Sequence, residues 1–230
     1  MKCIAIIPAR SGSKGLKDKN IKELNGKPLL GYSVDAALNS NVFDTVMVST
    51  DSERYATVAR QCGAEVPFLR SEFTSSDSAS SWDAVKEVIA NYKEMGKEFD
   101  VLVLLQPTSP LRSCNDIAEA FKVFQEKDAK AVISVCEVDH SPLWCNTLQE
   151  GNSMINFAKT SKPNGNRQML DTYYRLNGAI YMLRTSVLEN IDRLYADECY
   201  AYIMSRKSSV DIDNIDDFKY AEFLMKEGLI

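Results

Sequence analysis

The 230-residue sequence has little of several features that define whole classes of protein. Its only histidine, His140, argues against a histidine-rich zinc site, and no G-x-S-x-G elbow accompanies it for a Ser-His-Asp triad. The longest uninterrupted aliphatic run, Val101–Leu105, is far shorter than a membrane span, and the apolar run after Met1 is too short for a signal peptide. We therefore expect a protein without membrane association, in which His140 is a structural or loop residue.

The net charge and the spacing of the cysteines argue against two further classes of protein. The net charge of −5 argues against a broad nucleic-acid-binding face, because proteins with such faces are usually basic. Six scattered cysteines form no C-x-x-C pair, so a disulfide framework is not predicted and a reducing compartment fits better. We expect a cytoplasmic protein that binds no nucleic acid.

Short aliphatic runs alternate with amphipathic segments, which predicts an α/β fold with a mainly parallel central sheet. The predicted strands are Cys3–Ile7, Thr45–Ser49, Val101–Leu105, Ala131–Val135, Ala179–Met182 and Tyr200–Met204. The predicted helices are Leu29–Asn39, a helix from Asp51 or Ser52 to Arg60 or Gln61, Ser81–Met95, Asp116–Glu126 capped by Asn115, and Asp217–Lys226. Residues 1–230 are read as a single domain, and ligands in such folds bind beyond the carboxyl ends of the strands.

One stretch, residues 138–174, breaks this alternation. It is polar, contains prolines and glycines, and has weak periodicity. It also carries large apolar side chains that need a covering surface, among them Trp144, Met154 and Ile155. We interpret 138–174 as a protruding dimerisation arm inserted in the domain.

The first predicted strand runs directly into a cationic loop that contains glycines. The residues of interest in and after this loop are Arg10, Gly12, Lys14, Gly15, Lys17, Lys19 and Asn20. Glycine lets the backbone approach an anion and the cations neutralise phosphate oxygens, so the loop is a candidate polyphosphate site. The spacing matches neither G-x-x-x-x-G-K-[ST] nor G-x-G-x-x-G, and an ordinary turn with solvated cations is the alternative.

Three further polar clusters stand next to predicted strands or helices. They are Ser49-Thr50-Asp51, Arg70 with the serine-rich loop 76–81, and a turn fixed by two prolines that presents Gln106, Thr108 and Arg112. Helix capping accounts for one or two of the serines. Solvated loop is the alternative for the remaining serines, and a tight turn is the alternative for the proline segment.

The last cluster is an acidic pair, Asp211 and Asp213. In an extended segment these two carboxylates share one face, where they could hold a hard cation such as Mg²⁺, which favours carboxylates, water and phosphates. A helix N-terminus is the alternative, and it explains Asp213 better than Asp211. Together the clusters fit metal-assisted nucleotidyl transfer, which needs charge neutralisation and positioning more than a strong base.

Several motifs then carry a family resemblance, in order from residue 3 to about residue 223. They are IPARSGSKG with KNI, STDS, FLR with SSDSASSWD, LLQPTSPLR, RLNGAIY and SVDIDN. In these motifs the chain resembles the bacterial cytidylyltransferases that activate acidic sugars, above all the CMP-N-acetylneuraminate synthetases. The resemblance implies a Rossmann-like nucleotidyltransferase domain with a small protruding dimerisation region, and a homodimer in which each arm helps to close the partner's site.

The resemblance also implies a reaction, in which CTP and a nine-carbon 2-keto sugar acid give a CMP-sugar and pyrophosphate with Mg²⁺. Leu194-Tyr195 and Trp144 depart from the family pattern where the sugar is read, so legionaminic or pseudaminic acid is an alternative substrate. An eight-carbon acid (Kdo) or a GTP donor is a further alternative. A nucleotide-sensing binding module without chemistry is the alternative of another class.

Residue roles are implied by the same resemblance. The implied nucleotide-binding residues are Arg10, Gly12, Lys14, Lys19, Asn20, Arg70 and Ser81. The implied sugar-binding residues are Gln106, Tyr181 and Arg167, the last reaching the partner's site from the arm. Asp211 and Asp213 are the implied magnesium ligands, and with Arg10 and Lys19, which would stabilise the leaving pyrophosphate, they are the implied catalytic residues.

Overall fold

A computed structural model describes residues 1–12, 15–157 and 171–229. Within these residues the sheet strands are β1 (Cys3–Pro8), β4 (Thr45–Ser49), β5 (Val101–Leu104), β6 (Ala131–Glu137), β7 (Tyr174–Arg184) and β8 (Cys199–Met204), and two-residue strands β2 (Glu23–Leu24) and β3 (Lys27–Pro28) form a separate ribbon. The central sheet has the order β4-β1-β5-β7-β6-β8.

The helices are α1 (Leu29–Asn39), α2 (Glu53–Gln61), α3 (Glu72–Ser75), α4 (Ser81–Glu94), α5 (Cys114–Glu126) and α6 (Ile215–Lys226). Five of them were predicted, and their observed ends lie within two residues of the predicted ones. The short helix α3 was not predicted. The cap predicted for α5 was wrong, because Ser113 rather than Asn115 caps it.

The sheet is mainly parallel, as predicted. Strand β1 pairs in parallel with β4 and β5, and β6 pairs in parallel with β8. Strand β7 runs antiparallel to β5 and β6, and it begins at Tyr174, five residues before the predicted start. The missed half of β7 is polar and contains Gly178, so it lacks the apolar pattern of a buried strand.

Alternate residues of β1 show why the strand is apolar throughout. Ile4 and Ile6 pack in the core cluster on one face of the sheet, and Ala5 and Ile7 pack in the cluster on the other face. All four are fully buried. Helices cover both faces, as a parallel strand without a solvent side requires.

A third core cluster joins the two ends of the chain. Its buried members include Leu24 of the ribbon, Phe218 of α6, and Ile212, which precedes α6. Leu16 packs against them. Ile212 is fully buried and lies between the two aspartates predicted to bind magnesium. This cluster therefore brings the C-terminal acidic segment to the loop that follows β1.

The described part of the predicted arm, residues 138–157, contains two short 3₁₀ turns, Pro142–Trp144 and Glu150–Asn152. Most of its residues are exposed. In the part of the chain that the structure describes, no helix is both long and apolar enough to span a membrane.

The cap of α5 gives a direct test of the fold. Ser113 accepts from the Asp116 N–H at 3.1 Å, and the Asp116 carboxylate accepts from the Ser113 N–H at 2.8 Å. Ser113→Ala should lower the free energy of unfolding by about 1 kcal/mol, measured by urea denaturation. Asn115→Ala, at an exposed helical position, is the matched control and should change it by less than about 0.5 kcal/mol. The reverse ranking would place the cap at Asn115.

Candidate active site

The carboxyl ends of β1, β4 and β5 open onto one cleft of about 520 Å³. The three strands are parallel neighbours, so their ends meet at one edge of the sheet. Arg10 follows β1, and Gln106 and Thr108 follow β5. Arg70 is joined to the end of β4, because its N–H donates to the Thr50 carbonyl at 2.8 Å.

Most of the residues predicted for the site lie together in this cleft. Its lining includes Arg10, Lys19, Asn20, Arg70, Ser81, Gln106, Asp211 and Asp213. Gly12 is exposed and does not border it, and Lys14 and Arg167 lie outside the described residues.

Tyr181 was predicted to contact the sugar, but it does not border the cleft either. Its ring packs edge to face on Trp82, with ring centroids 5.8 Å apart. Burial raises the pKa of its hydroxyl, and the nearby Tyr195 and Asp211 raise it further. Tyr181 therefore packs on Trp82 outside the lining of the cleft, within range of the charge of Asp211.

Arg10 reaches across to the serine-rich loop. Its Nη1 donates to the carbonyls of Ser75 and Ser76, at 3.3 and 3.0 Å, and lies 3.0 Å from the Asp77 carboxylate. Behind it, the buried Asn20 donates its side-chain amide to the Arg10 carbonyl at 3.1 Å. The first cation of the loop is thus held at its backbone and at its tip.

The serine-rich loop has its own support. Ser80 caps α4 in a capping box with Asp83, so one of the serines there is a helix cap. Glu87 on α4 accepts hydrogen bonds from the backbone and hydroxyl of Ser71 and from the hydroxyl of Thr74. Thr74, which also borders the cleft, is therefore fixed from behind.

Arg70 is held against the end of β4. Its Nε donates to the Ser49 hydroxyl at 3.1 Å and its Nη2 to the Ser49 carbonyl at 2.9 Å. Burial lowers the pKa of this guanidinium, and the charges of Asp51 and Glu87 oppose that effect. Arg70 therefore presents a desolvated cation in one fixed orientation at the cleft.

Arg112, which the sequence grouped with Gln106 and Thr108 in the proline-fixed turn, points into the protein and does not border the cleft. It is 2% exposed, and its Nη1 donates to the Ala179 carbonyl at 2.9 Å and to the Gln106 carbonyl at 3.4 Å. Burial lowers its pKa to about 10, against the opposing charge of Asp116. Arg112 braces the turn at Gln106 from inside the protein.

The acidic segment is anchored by its central residue. The Ile212 N–H donates to the Thr108 carbonyl at 2.8 Å, and the Ile212 carbonyl accepts from the Lys19 ammonium at 2.6 Å. Because side chains alternate along an extended segment, burying Ile212 turns Asp211 and Asp213 to the other side, where both line the cleft. Their predicted common face is confirmed.

The two carboxylates differ in environment. Asp213 is exposed and lies 3.4 Å from the Lys19 ammonium, whereas Oδ1 of Asp211 is buried and has no hydrogen-bond partner among the described residues. Burial raises the pKa of Asp211, a hydrogen bond from Thr108 lowers it, and the Asp213 charge raises it again. A buried carboxylate oxygen that lacks a donor fits a bound cation.

Within the described ranges, no group of three or more His, Cys, Asp or Glu side chains is placed to hold a metal ion. A divalent ion at Asp211 and Asp213 would therefore complete its coordination with water and ligand oxygens, as Mg²⁺ commonly does.

Gly15 allows the N-terminal loop to approach this segment. A Cβ at Gly15 would lie 2.5 Å from the backbone carbonyl oxygen of Asp213, which is closer than side chains pack. A Cβ at Gly12 would meet no atom of the described residues within 4 Å. Of the two loop glycines, Gly15 is the one that contact with the acidic segment requires.

Residues 4–223 match the family model described as cytidylyltransferase. The chain belongs to the cytidylyltransferase family. It is 39% identical over 220 residues to an N-acylneuraminate cytidylyltransferase of Streptococcus agalactiae serotype V, covering 95% of this chain and 52% of the relative. The chain thus spans about half the length of that curated relative.

A second relative of the cytidylyltransferase family matches over nearly its full length. It is the CMP-N,N′-diacetyllegionaminic acid synthase of Legionella pneumophila, 35% identical over 233 residues, which cover 98% of this chain and 97% of the relative. A solved CMP:2-keto-3-deoxy-manno-octonic acid synthetase complexed with CTP has a TM-score of 0.75 at 18% identity, covering 99% of this chain and all of that one. The last likeness shows a shared fold.

The site residues implied by the resemblance do not include Gly15, Thr74, Ser80 or Thr108, which also line the cleft. The signal for Thr108 was its spacing of two from Gln106 in a proline-fixed turn. The signal for Thr74 was weaker, because nothing in its local sequence marks it as buried.

Alanine at Gly15 tests the contact between the loop and the acidic segment. Gly15→Ala should lower the free energy of unfolding by about 1–3 kcal/mol, because the Asp213 backbone must move away from the new methyl group. Gly12→Ala is the matched control and should change it by no more than about 0.5 kcal/mol. Equal denaturation midpoints for the two variants would mean that the contact does not hold the loop.

Proposed function

We propose that this protein transfers CMP from CTP to a nine-carbon 2-keto sugar acid of the sialic-acid type, with release of pyrophosphate. The observation that carries this proposal is the meeting of the cationic N-terminal loop with the acidic pair in one cleft, where Lys19 lies 2.6 Å from the Ile212 carbonyl. The family supports cytidylyl transfer. The relatives that act on N-acylneuraminate and legionaminic acid support an acidic nine-carbon acceptor.

The nucleotide would bind along the loop side of the cleft. Arg10, Lys14 and Lys19 would contact the triphosphate, and Gly12 would leave room for it beside the backbone amides. Arg70 and Ser81 would lie near the cytosine. Asn20 would act through the Arg10 carbonyl that it holds.

Asp211 and Asp213 would hold Mg²⁺. The observation that fits it is the buried Oδ1 of Asp211, which has no partner within residues 1–12, 15–157 and 171–229. When bound there, Mg²⁺ supplies charge neutralisation for the phosphates and acidifies a coordinated hydroxyl. Lys19, already placed between the acidic segment and the loop, would stabilise the charge that develops on the departing pyrophosphate together with Arg10.

The acceptor would occupy the side of the cleft near Gln106. The negative charge of Asp211 contributes to the raised pKa of Tyr181, so we assign Tyr181 to the sugar side as well. Leu194 is buried in the core, whereas Tyr195 is exposed and influences Tyr181. Arg167 of the partner would complete the pocket, and a legionaminic-type acid is the second candidate because that relative matches over 97% of its length.

Purified protein should release pyrophosphate from CTP with N-acetylneuraminic or legionaminic acid and Mg²⁺, and should not do so with GTP.

Asp211→Asn should reduce kcat by at least about 100-fold without loss of folding, because it removes the charge that holds the cation. Asp216→Asn, at an exposed acid in the first turn of α6, is the matched control and should keep its activity. CTP binding without turnover for any sugar acid would favour a nucleotide-sensing module. Turnover by Asp211→Asn within a few-fold would reject the metal role.

We also propose a homodimer formed through the arm. Leu148, Met154 and Ile155 in the described part of 138–174 are between 55% and 67% exposed. Leu176 at the start of β7 and Ile203 on the edge strand β8 are 47% and 58% exposed. A second copy would cover these side chains and the free edge of β8.

Sedimentation equilibrium at micromolar concentration should therefore give a dimer mass. Ile155→Glu combined with Ile203→Glu should shift it to the monomer and lower activity, because charges would be buried at the contact. Phe223→Glu, at a 52% exposed aromatic position of α6, is the control and should leave the dimer intact. A monomeric parent protein would overturn the proposal.

We further assign the reaction to the cytoplasm. The six cysteines are all free, which fits a reducing compartment.

A further inference from the structure

Asp51 lies next to the cleft without bordering it, directly after β4 and the buried Ser49 and Thr50. Its carboxylate accepts two hydrogen bonds from one residue. The backbone N–H of Ser11 donates to Oδ1 and the Ser11 hydroxyl donates to Oδ2, each at 2.8 Å. Ser11 stands between Arg10 and Gly12 in the cationic loop.

Two more contacts fix the residues just before Ser11. The N–H of Ala9 donates to the Ser49 carbonyl at 2.8 Å, which continues the pairing of β1 with β4. The Arg10 carbonyl accepts from the Asn20 amide at 3.1 Å. Three consecutive residues are thus each held by a different neighbour, and Asp51 holds the third of them, Ser11.

The charge of Asp51 and its hydrogen bonds should act on triphosphate binding in opposite directions. A carboxylate close to a triphosphate opposes binding by electrostatic repulsion, so charge alone would be a disadvantage at this position. The two hydrogen bonds that Asp51 accepts from Ser11 would instead favour triphosphate binding, if the loop must have one shape to receive the phosphates. Replacement by asparagine separates the effects, because an amide can accept from the Ser11 N–H and donate to the Ser11 hydroxyl without carrying charge.

We propose that Asp51 is a positioning residue that holds the Arg10–Gly12 turn in the shape that receives the β- and γ-phosphates of CTP. The inference rests on the function proposed above. Asp51 acts through Ser11, and it contacts neither phosphate nor metal. Two residues of the Ser49-Thr50-Asp51 motif then position parts of the site. Ser49 orients Arg70, and Asp51 orients the loop.

Calorimetric binding of CTP and of CMP to Asp51→Ala and Asp51→Asn tests the proposal. Asp51→Ala should weaken CTP binding about tenfold or more, the size expected for losing charge-assisted hydrogen bonds. It should weaken CMP binding less than about threefold, because CMP lacks the phosphates that the turn receives. Asp51→Asn should bind CTP as tightly as the parent or more tightly, and KM for CTP should follow the same order with a smaller change in kcat.

Asp44→Ala is the matched control, because the Asp44 carboxylate accepts from the Cys3 N–H at 2.7 Å at the opposite end of the same strand pair. Any general loosening of β1 should appear in Asp44→Ala as well, so it should lose stability but keep its preference for CTP over CMP. Urea denaturation of all three variants reports folding independently of ligand.

Each other outcome overturns the proposal. Equal losses for CTP and CMP in Asp51→Ala would show a general structural role, and parental CTP binding would show no role in the loop. An Asp51→Asn variant as impaired as Asp51→Ala would show that the charge itself is needed, as for a metal ligand. If the parent protein binds no CTP, the proposed function fails, whereas parental binding that Asp51→Ala leaves unchanged removes this inference alone.

Discussion

The contact between the loop after β1 and the segment 211–213 is the interaction on which the rest of the site depends. The Lys19 ammonium and the Ile212 carbonyl are 193 positions apart in the chain and 2.6 Å apart in space. Gly15 permits this approach, and the buried Ile212 fixes which way the acids point. Without this contact, the cations and the carboxylates would be separate surface features with no common ligand.

In the free protein these charges already neutralise one another in part. Lys19 lies between the Ile212 carbonyl and the Asp213 carboxylate, and Arg10 is paired with Asp77. Asp213 and Asp77 are largely exposed, and such ion pairs contribute little stability, so a charged ligand can replace them at small cost. Asp211 is different, because none of the residues that the structure describes donates a hydrogen bond to its buried Oδ1. The arrangement therefore fits the proposed binding of a polyanion together with a cation.

Much of the fold could be predicted because a sheet covered on both faces leaves a plain apolar signal, as in Cys3–Ile7 and Val101–Leu105. The first half of β7 left no such signal. Arg175 and Asn177 are polar and donate hydrogen bonds to Ser209, which is distant in sequence, and Gly178 has no side chain to show a pattern. The cap of α5 was misplaced by two residues because Ser113 and Asn115 are both good caps, and only geometry distinguishes them.

The cleft could be predicted where parallel strands end, because topology brings those ends together. The inward orientation of Arg112 could not be predicted, because its sequence context would be the same if it faced a ligand. In the structure it donates to the Ala179 carbonyl. A structure determined with CTP and Mn²⁺ in place of Mg²⁺ tests the central claim most directly. We predict phosphates among Arg10, Lys19 and the loop amides, with an anomalous peak beside Asp211 and Asp213. Nucleotide elsewhere, or a metal ion remote from both aspartates, would contradict the account.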